Sequence, residues 1–293
     1  MPSWQGKSKG TKTGYRIFVN VLRRFGLSPA YFMLRFVAFY YFLFSISSSR
    51  EIFAFFRQRL GYHHIAALVS VYRNYFVFGQ SLIDKIVLMS GIPNKFSFDF
   101  DGEHFLHAMT EQGKGGILIS AHVGNWEIAG FLLKRIDTRT NIVMFDGEHR
   151  QIKEYLASVM TNRQVNIIVV KDDLSHIYQI SEALQKSEFV CIHADRFIEG
   201  NRTVKMDFLG KAADFPLGPF VLAAKLQVPV SFVFALKESK LHYHFYASQP
   251  KVYSSGERNK QHESMMTDFI GELEAKIEKH PTQWFNYYNF WKD

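Results

Sequence analysis

One stretch, Gly115 to Gly130 (GGILISAHVGNWEIAG), constrains the fold of this chain more than any other. The apolar run from Ile117 to Ile119 leads into a Gly-containing turn, and a second apolar segment follows. This order is typical of a buried strand, a turn and a helix. In open α/β sheets such junctions bring side chains to the carboxyl edge of the sheet, where active sites lie. The stretch therefore predicts an α/β fold with a candidate site just after a buried strand.

Two side chains of this junction, His122 and Glu127, have acid–base chemistry. On a continuous helix, residues five apart lie about 140° apart around the axis and do not meet. They meet only if His122 belongs to the turn and Glu127 to the first helical turn, with Gly124 breaking the chain direction and Asn125 capping the helix. A carboxylate that fixes the tautomer of a histidine and stabilises its cation makes that histidine a general base. For an isolated pair of this kind, a purely structural role is the commoner one.

The block AHVGNWE resembles the His-x4-acidic signature of the glycerolipid acyltransferase superfamily. Glutamate as the acid, with tryptophan before it, is similar to the late (secondary) lipid A biosynthesis acyltransferases. Further blocks of the chain resemble this family in the expected order: the strand end HADR (193–196), the segment Lys205–Leu226 and the ending Pro281-x-x-Trp284. The resemblance covers about residues 110–293, and its specificity comes from the ordered set of blocks.

The resemblance implies a mixed central sheet flanked by helices, preceded by an N-terminal hydrophobic helix that anchors the protein to the membrane. It implies transfer of a fatty acyl group from a thioester, on acyl carrier protein or coenzyme A, to a hydroxyl or amine of a lipid acceptor. His122 would be the general base and Glu127 its orienting acid. No metal, cofactor or covalent acyl-enzyme is required, and the expected location is the cytoplasmic face of the bacterial inner membrane.

Six residues are candidates for substrate binding. The resemblance places a basic residue in the loop after the second predicted strand and another before the third, and a solvated arginine is the alternative for each. Asp195 and Arg196 follow a strand at the site edge, where the first could orient the loop and the second could bind an anion. A turn shaped by proline and glycine offers backbone amides to an oxyanion. The candidates are Asn125, Arg150, Arg163, Asp195, Arg196 and Gly218.

The N-terminal part of the chain differs from the rest in its amino-acid composition. Residues 1–29 are polar and basic, and Ala30–Ile46 is apolar except for Arg35 and Ser45. This run reaches only the lower length limit of a spanning helix. Basic residues on both flanks fit a helix that dips into the membrane from the cytoplasm, or a short span with weak topology signals. A buried core helix is the alternative. We predict an anchoring region at 1–50 and an acyltransferase domain at 51–293.

Composition and cysteine usage limit which partners and crosslinks the protein can have. The formal net charge of +8 fits an anionic membrane or an acidic carrier protein as partner. The 29 Phe fit contact with lipid or an acyl chain. No arginine-rich helix or zinc spacing accompanies the charge, so nucleic acid is disfavoured. The lone Cys191 excludes an intramolecular disulfide.

Several local predictions complete the sequence-based interpretation. Alternation predicts an edge strand at Leu241–Ala247 and a core position for His193. Lys260–His280 is predicted to be an amphipathic helix. The loop sequence DGEH (146–149) and an aromatic tail in place of a basic one depart from the family pattern. These departures favour a less phosphorylated or non-lipid-A acceptor as the alternative, and a silent membrane-surface lipid-binding protein is the non-enzymatic one.

Overall fold

The computed structural model describes residues 12–126, 128, 135–136, 138–145, 165–170, 173, 175–197, 200–253 and 258–291. These residues form an α/β fold with a mixed sheet flanked by helices, which confirms the predicted fold class. The strands are β1 Ser97–Asp101, β2 Gly116–Ser120, β3 Thr140–Phe145, β4 Val165–Val170, β5 Phe189–His193, β6 Thr203–Phe208, β7 Lys211–Pro216, β8 Val230–Ser239 and β9 His242–Ala247. The helices are α1 Lys12–Phe25, α2 Leu27–Phe44, α3 Ile46–Ala54, α4 His64–Met89, α5 Glu103–Glu111, α6 Ser175–Gln185, α7 Gly218–Leu226 and α8 Arg258–Lys279, with a π-helical segment Phe55–Arg59 and a 3-10 turn Pro281–Gln283.

The central sheet has seven strands in the order β1-β9-β8-β2-β5-β3-β4. β8 and β9 pair antiparallel, and the other neighbours pair parallel. Every residue of β2 is buried, as a central parallel strand covered on both faces requires. Since β2 runs parallel to both β5 and β8, the carboxyl ends of these three strands meet at one edge of the sheet. The hairpin β6–β7 forms a separate two-stranded sheet.

The prediction of an edge strand at Leu241–Ala247 is wrong, because β9 lies between β1 and β8. Tyr243 and Phe245 of this strand are buried in the core, whereas His242 and His244 form contacts with carboxylates on the other face. The alternating pattern therefore reflects one apolar and one polar face of the sheet rather than a missing neighbour.

Helix α8 confirms the predicted amphipathic helix near the end of the chain. Its apolar side chains Met265, Phe269, Leu273 and Ile277 are fully buried in the main core. Burial of a side chain of this size is worth about 1.5–3 kcal/mol relative to exposure. This stripe therefore fixes α8 against the sheet.

Helix α2 packs one face on α4 and exposes the other. Leu34 approaches α4 so closely that a Cβ on Gly79 would lie 2.3 Å from Leu34 Cδ1. Large aromatic side chains occupy the exposed face: Phe32, Phe36, Phe39, Tyr40 and Phe44. In the described part of the chain, α2 is the one helix long and apolar enough to cross a membrane, and 22% of it is buried. A mostly exposed apolar helix is compatible with a membrane anchor, while the domain boundary after residue 50 stays a prediction.

Candidate active site

The turn that carries His122 begins directly after β2 and is fixed against β8. Gly124 has a φ of 67°, and a Cβ at this position would lie 2.0 Å from the carbonyl oxygen of Ala235. Only glycine permits both this left-handed backbone and this close approach. The N–H of Asn125 donates to the same carbonyl at 2.7 Å. The backbone around His122 is therefore held by the sheet and has little freedom of its own.

The side chain of Asn125 is buried and points into the protein interior. Its Nδ2 donates to the carbonyl of Ser81 at 3.0 Å and to the hydroxyl of Tyr243 at 3.3 Å. These bonds tie the turn to α4 and β9. The observed role of Asn125 is thus to anchor the turn, and its predicted role in binding substrate stays a prediction.

A buried carboxylate, Asp195, holds both the ring and the backbone of His122. Asp195 follows β5, whose parallel register with β2 brings both residues out of the sheet at the same edge. Asp195 Oδ1 lies 2.8 Å from His122 Nδ1, and Oδ2 accepts the backbone N–H of His122 at 2.9 Å. The Asp195 side chain is 1% exposed and that of His122 14%. A carboxylate at Nδ1 selects the tautomer protonated there, so that Nε2 is the basic nitrogen.

The charges around Asp195 keep it ionised. Burial alone would raise the pKa of Asp195, but the neighbouring His122, Arg196 and His193 outweigh burial and hold that pKa well below its usual range. An ionised carboxylate at a buried ring nitrogen stabilises the protonated form of the ring. His122 can therefore accept a proton at Nε2 with its new charge already compensated at Nδ1.

His193 belongs to the site, although alternation along β5 predicts a core position for it. Its ring centroid lies 4.6 Å from that of His122. The Trp126 ring packs edge-to-face against the His122 ring, with 4.8 Å between the centroids. Burial, followed by the charge of His122, lowers the pKa of His193 to about 3. Among the described residues, nothing forms a hydrogen bond with its Nδ1. His193 is thus a neutral, polar neighbour of His122 at pH 7.

The C-terminal segment after α8 forms one wall of the site. Trp284 bridges to Val123 in an antiparallel arrangement, and Phe285 N–H donates to the carbonyl of His122 at 3.0 Å. The guanidinium of Arg196 donates to the carbonyl of Phe285. The sequence offered the Pro-x-x-Trp ending as a family feature, but nothing in it indicated that this ending runs along the His122 turn.

Of the remaining predicted site residues, the structure describes Gly218 alone. Glu127, Arg150 and Arg163 lie outside the described residues. Gly218 is the exposed first residue of α7, and the described contacts include none between it and His122. Among the described residues, therefore, the carboxylate that orients His122 is Asp195, while the predicted orienting role of Glu127 stays a prediction.

Metal chemistry has no candidate centre in the part of the chain that the structure describes. Within it, no three His, Cys, Asp or Glu side chains are arranged so that they could hold an ion. The predicted absence of a metal and of a cofactor stays a prediction.

Comparison with known proteins assigns the family. The family model described as bacterial lipid A biosynthesis acyltransferase matches residues 74–293, which is most of the chain. The protein therefore belongs to this family and is an acyltransferase, as the sequence blocks predicted.

A search of solved structures matches the 1-acyl-sn-glycerophosphate (LPA) acyltransferase PlsC from Thermotoga maritima. That protein is 16% identical, and the match covers 83% of this chain and 96% of that chain with a TM-score of 0.37. No curated protein matches the chain.

Proposed function

We propose that this acyltransferase moves a fatty acyl group from an acyl thioester, on acyl carrier protein or coenzyme A, to a hydroxyl or amine of a lipid A precursor-like acceptor. The observation that carries the proposal is the His122–Asp195 pair at the carboxyl edge of the sheet. A histidine whose Nδ1 is held by a buried carboxylate is built to take a proton at Nε2.

This geometry supports the following reaction. Nε2 of His122 takes the proton of the acceptor hydroxyl or amine as the oxygen or nitrogen attacks the thioester carbonyl carbon. The tetrahedral intermediate then expels the thiolate, which receives the proton from His122 as the carbon–sulfur bond breaks. Asp195 keeps the ring in one tautomer and balances the imidazolium charge. Glu127, the acid of the family signature, is proposed to help orient His122 and to stabilise the same cation.

Cationic side chains would bind the anionic parts of donor and acceptor. Arg196 is fixed by the Phe285 carbonyl beside the His122 turn, so its guanidinium is preorganised near the reaction centre. Arg150 and Arg163 are proposed to contact phosphate or carboxylate groups, and the Gly218 amide to contact the oxyanion. The acyl thioester is a co-substrate, and no further cofactor is invoked.

Helix α2 would hold the enzyme at the cytoplasmic face of the bacterial inner membrane. Its exposed aromatic face supports a lipid contact, and Arg23 and Arg24 precede it in the last turn of α1. Apolar area together with basic flanks favours binding to an anionic membrane.

Replacing His122 with Ala tests the chemistry. We expect His122→Ala to lose at least about a hundredfold in transfer of labelled acyl groups to extracted lipid, since general-base catalysis contributes about 10²–10⁴-fold. His104→Ala, at an exposed position on α5, is the matched control and should retain wild-type turnover. A His122→Ala enzyme with an unchanged melting temperature and near-wild-type turnover would contradict the mechanism.

A second acceptor class is favoured by the aromatic character of the wall next to Arg196. In lipid A enzymes this tail often carries basic residues, where this chain has Tyr288, Asn289, Phe290 and Trp291. The neighbouring Tyr287 ring stacks on that of Tyr75 with 5.6 Å between the centroids and lies edge-on to Phe78. Such a wall suits a less phosphorylated acceptor, such as an amino-acid-containing or other envelope lipid. Lipid profiling of a deletion strain separates the two: a change confined to non-lipid-A species would favour this second class.

A further inference from the structure

A cavity lies between α2, α4, the β8–β9 turn and the end of α8. Its volume is about 700 Å³. His122, Trp126 and Asp195 are not among its lining residues, so it is separate from the candidate active site. Its position beside the exposed apolar face of α2 makes its chemistry relevant to the membrane surface.

The lining of this cavity is cationic. Lys237 and Lys279 face carboxylates: Lys237 Nζ lies 2.6 Å from Asp84 Oδ2, and Lys279 Nζ lies 3.9 Å from Glu238 Oε1. Glu238 is the one carboxylate among the lining residues. Two lining cations, Arg35 and Lys240, remain without such compensation.

Arg35 and Lys240 line the cavity from two different elements, one from α2 and the other from the β8–β9 turn. Lys240 Nζ donates to Ser28 Oγ at 3.1 Å, and in the described part of the chain neither cation forms an ion pair with a carboxylate. Arg35 is also the single charged residue of α2. A cation within an apolar helix at a membrane is costly unless an anionic partner or water reaches it.

The mouth of the cavity continues into an apolar surface. Phe32 lines the cavity and is 58% exposed, and the Phe36 ring, one turn further along α2, is 65% exposed and lies 5.3 Å from it. A cationic cavity that opens onto exposed aromatic rings matches a molecule with an anionic head and apolar chains. A soluble anion would use the cations but not the rings.

We propose that this cavity binds the headgroup of an anionic phospholipid of the membrane surface, with Arg35 and Lys240 on the phosphate and the acyl chains along Phe32 and Phe36. The bound lipid is not the substrate, because the cavity is lined by none of the residues of the His122–Asp195 site. It sets the depth and orientation of α2. This inference rests on the proposed membrane association, and the experiment below separates the failure of one from the failure of the other.

The test is flotation of the full chain with vesicles of phosphatidylcholine alone and of phosphatidylcholine with phosphatidylglycerol. Each basic residue at an anionic membrane surface contributes about fivefold in affinity, so Arg35→Ala/Lys240→Ala should weaken binding to the anionic vesicles by about 25-fold. Binding to neutral vesicles should stay unchanged, since the apolar face of α2 is intact. The substitutions spare the Arg35 and Lys240 carbonyls, which accept from the Tyr72 hydroxyl and from Lys237 Nζ.

The matched control is Lys205→Ala/Lys225→Ala, which removes the same charge from two exposed lysines outside the cavity. We expect this control to bind anionic vesicles like the wild type. An equal loss in both double variants, or no loss in the cavity variant, would overturn the site and leave membrane association standing. Failure of the wild type to bind either vesicle would overturn the membrane association itself. If the cavity variant unfolds, the same flotation comparison is made with Arg35→Gln/Lys240→Gln, provided that its melting temperature equals that of the wild type.

Discussion

Replacing Asp195 with Asn should inactivate the enzyme with little change of shape. Asp195 uses both oxygens on His122, one on ring Nδ1 and one on the backbone N–H. An amide has one oxygen and one NH₂ group. If its oxygen stays on the backbone N–H, the NH₂ group faces Nδ1 and selects the tautomer protonated on Nε2. That proton blocks the nitrogen that must act as the base.

The opposite orientation of the amide is also unfavourable. Its NH₂ group would then face the backbone N–H of His122, which leaves a buried donor unsatisfied at a cost of about 1–3 kcal/mol. In either orientation the imidazolium loses a charge-assisted bond worth about 1.5–3 kcal/mol. The lost charge-assisted bond alone corresponds to a fall in kcat of about 10–150-fold. Selection of the wrong tautomer raises the expected fall to about 10²–10⁴-fold. The same change in the serine protease triad lowers kcat by about 10⁴.

The assay is turnover of labelled acyl thioester at saturating donor, with the melting temperature as the measure of folding. Asp207→Asn, which changes an exposed carboxylate on β6, should retain wild-type kcat. A kcat for Asp195→Asn within about threefold of wild type would refute the assignment. A large loss for Glu127→Gln together with normal turnover for Asp195→Asn would return the orienting role to Glu127.

Two further predictions concern buried ionisable groups. Lys237→Met leaves the buried Asp84 carboxylate without its cation, which should cost about 3–5 kcal/mol and lower the melting temperature by roughly 5–10 °C. Adding Asp84→Asn to this variant should recover part of the lost stability. An unchanged melting temperature for Lys237→Met would contradict the prediction. His193 has a folded pKa of about 3, below its unfolded value near 6.5, so the unfolded state binds more protons and stability falls as pH drops from about 6.5. Denaturant unfolding at pH 7, 6 and 5 should show a slope of up to about 1.4 kcal/mol per pH unit that His193→Gln lacks, and equal slopes in the two proteins would count against it.

Much of the fold could be predicted from the sequence because local patterns of apolar residues indicate which side chains are buried. The unbroken apolar run of β2, the helical stripe of α8 and the turn at Gly124 each appear in the chain as periodicity or as a backbone requirement. The edge-strand error at β9 shows the limit of such patterns. Alternation reports which face of a strand is buried, but it contains no information about how many neighbours the strand has.

By itself the sequence determined that His122 follows a buried strand and that the chain is an acyltransferase, since both depend on residues close together in the chain or on ordered family blocks. Only the tertiary structure decided that Asp195, 73 residues away, binds both the ring and the backbone of His122. It also placed His193 and the C-terminal segment against the same turn. These contacts depend on the parallel register of β2 with β5 and on the path of the chain after α8. Both are set by packing of the whole core, so no local pattern encodes them.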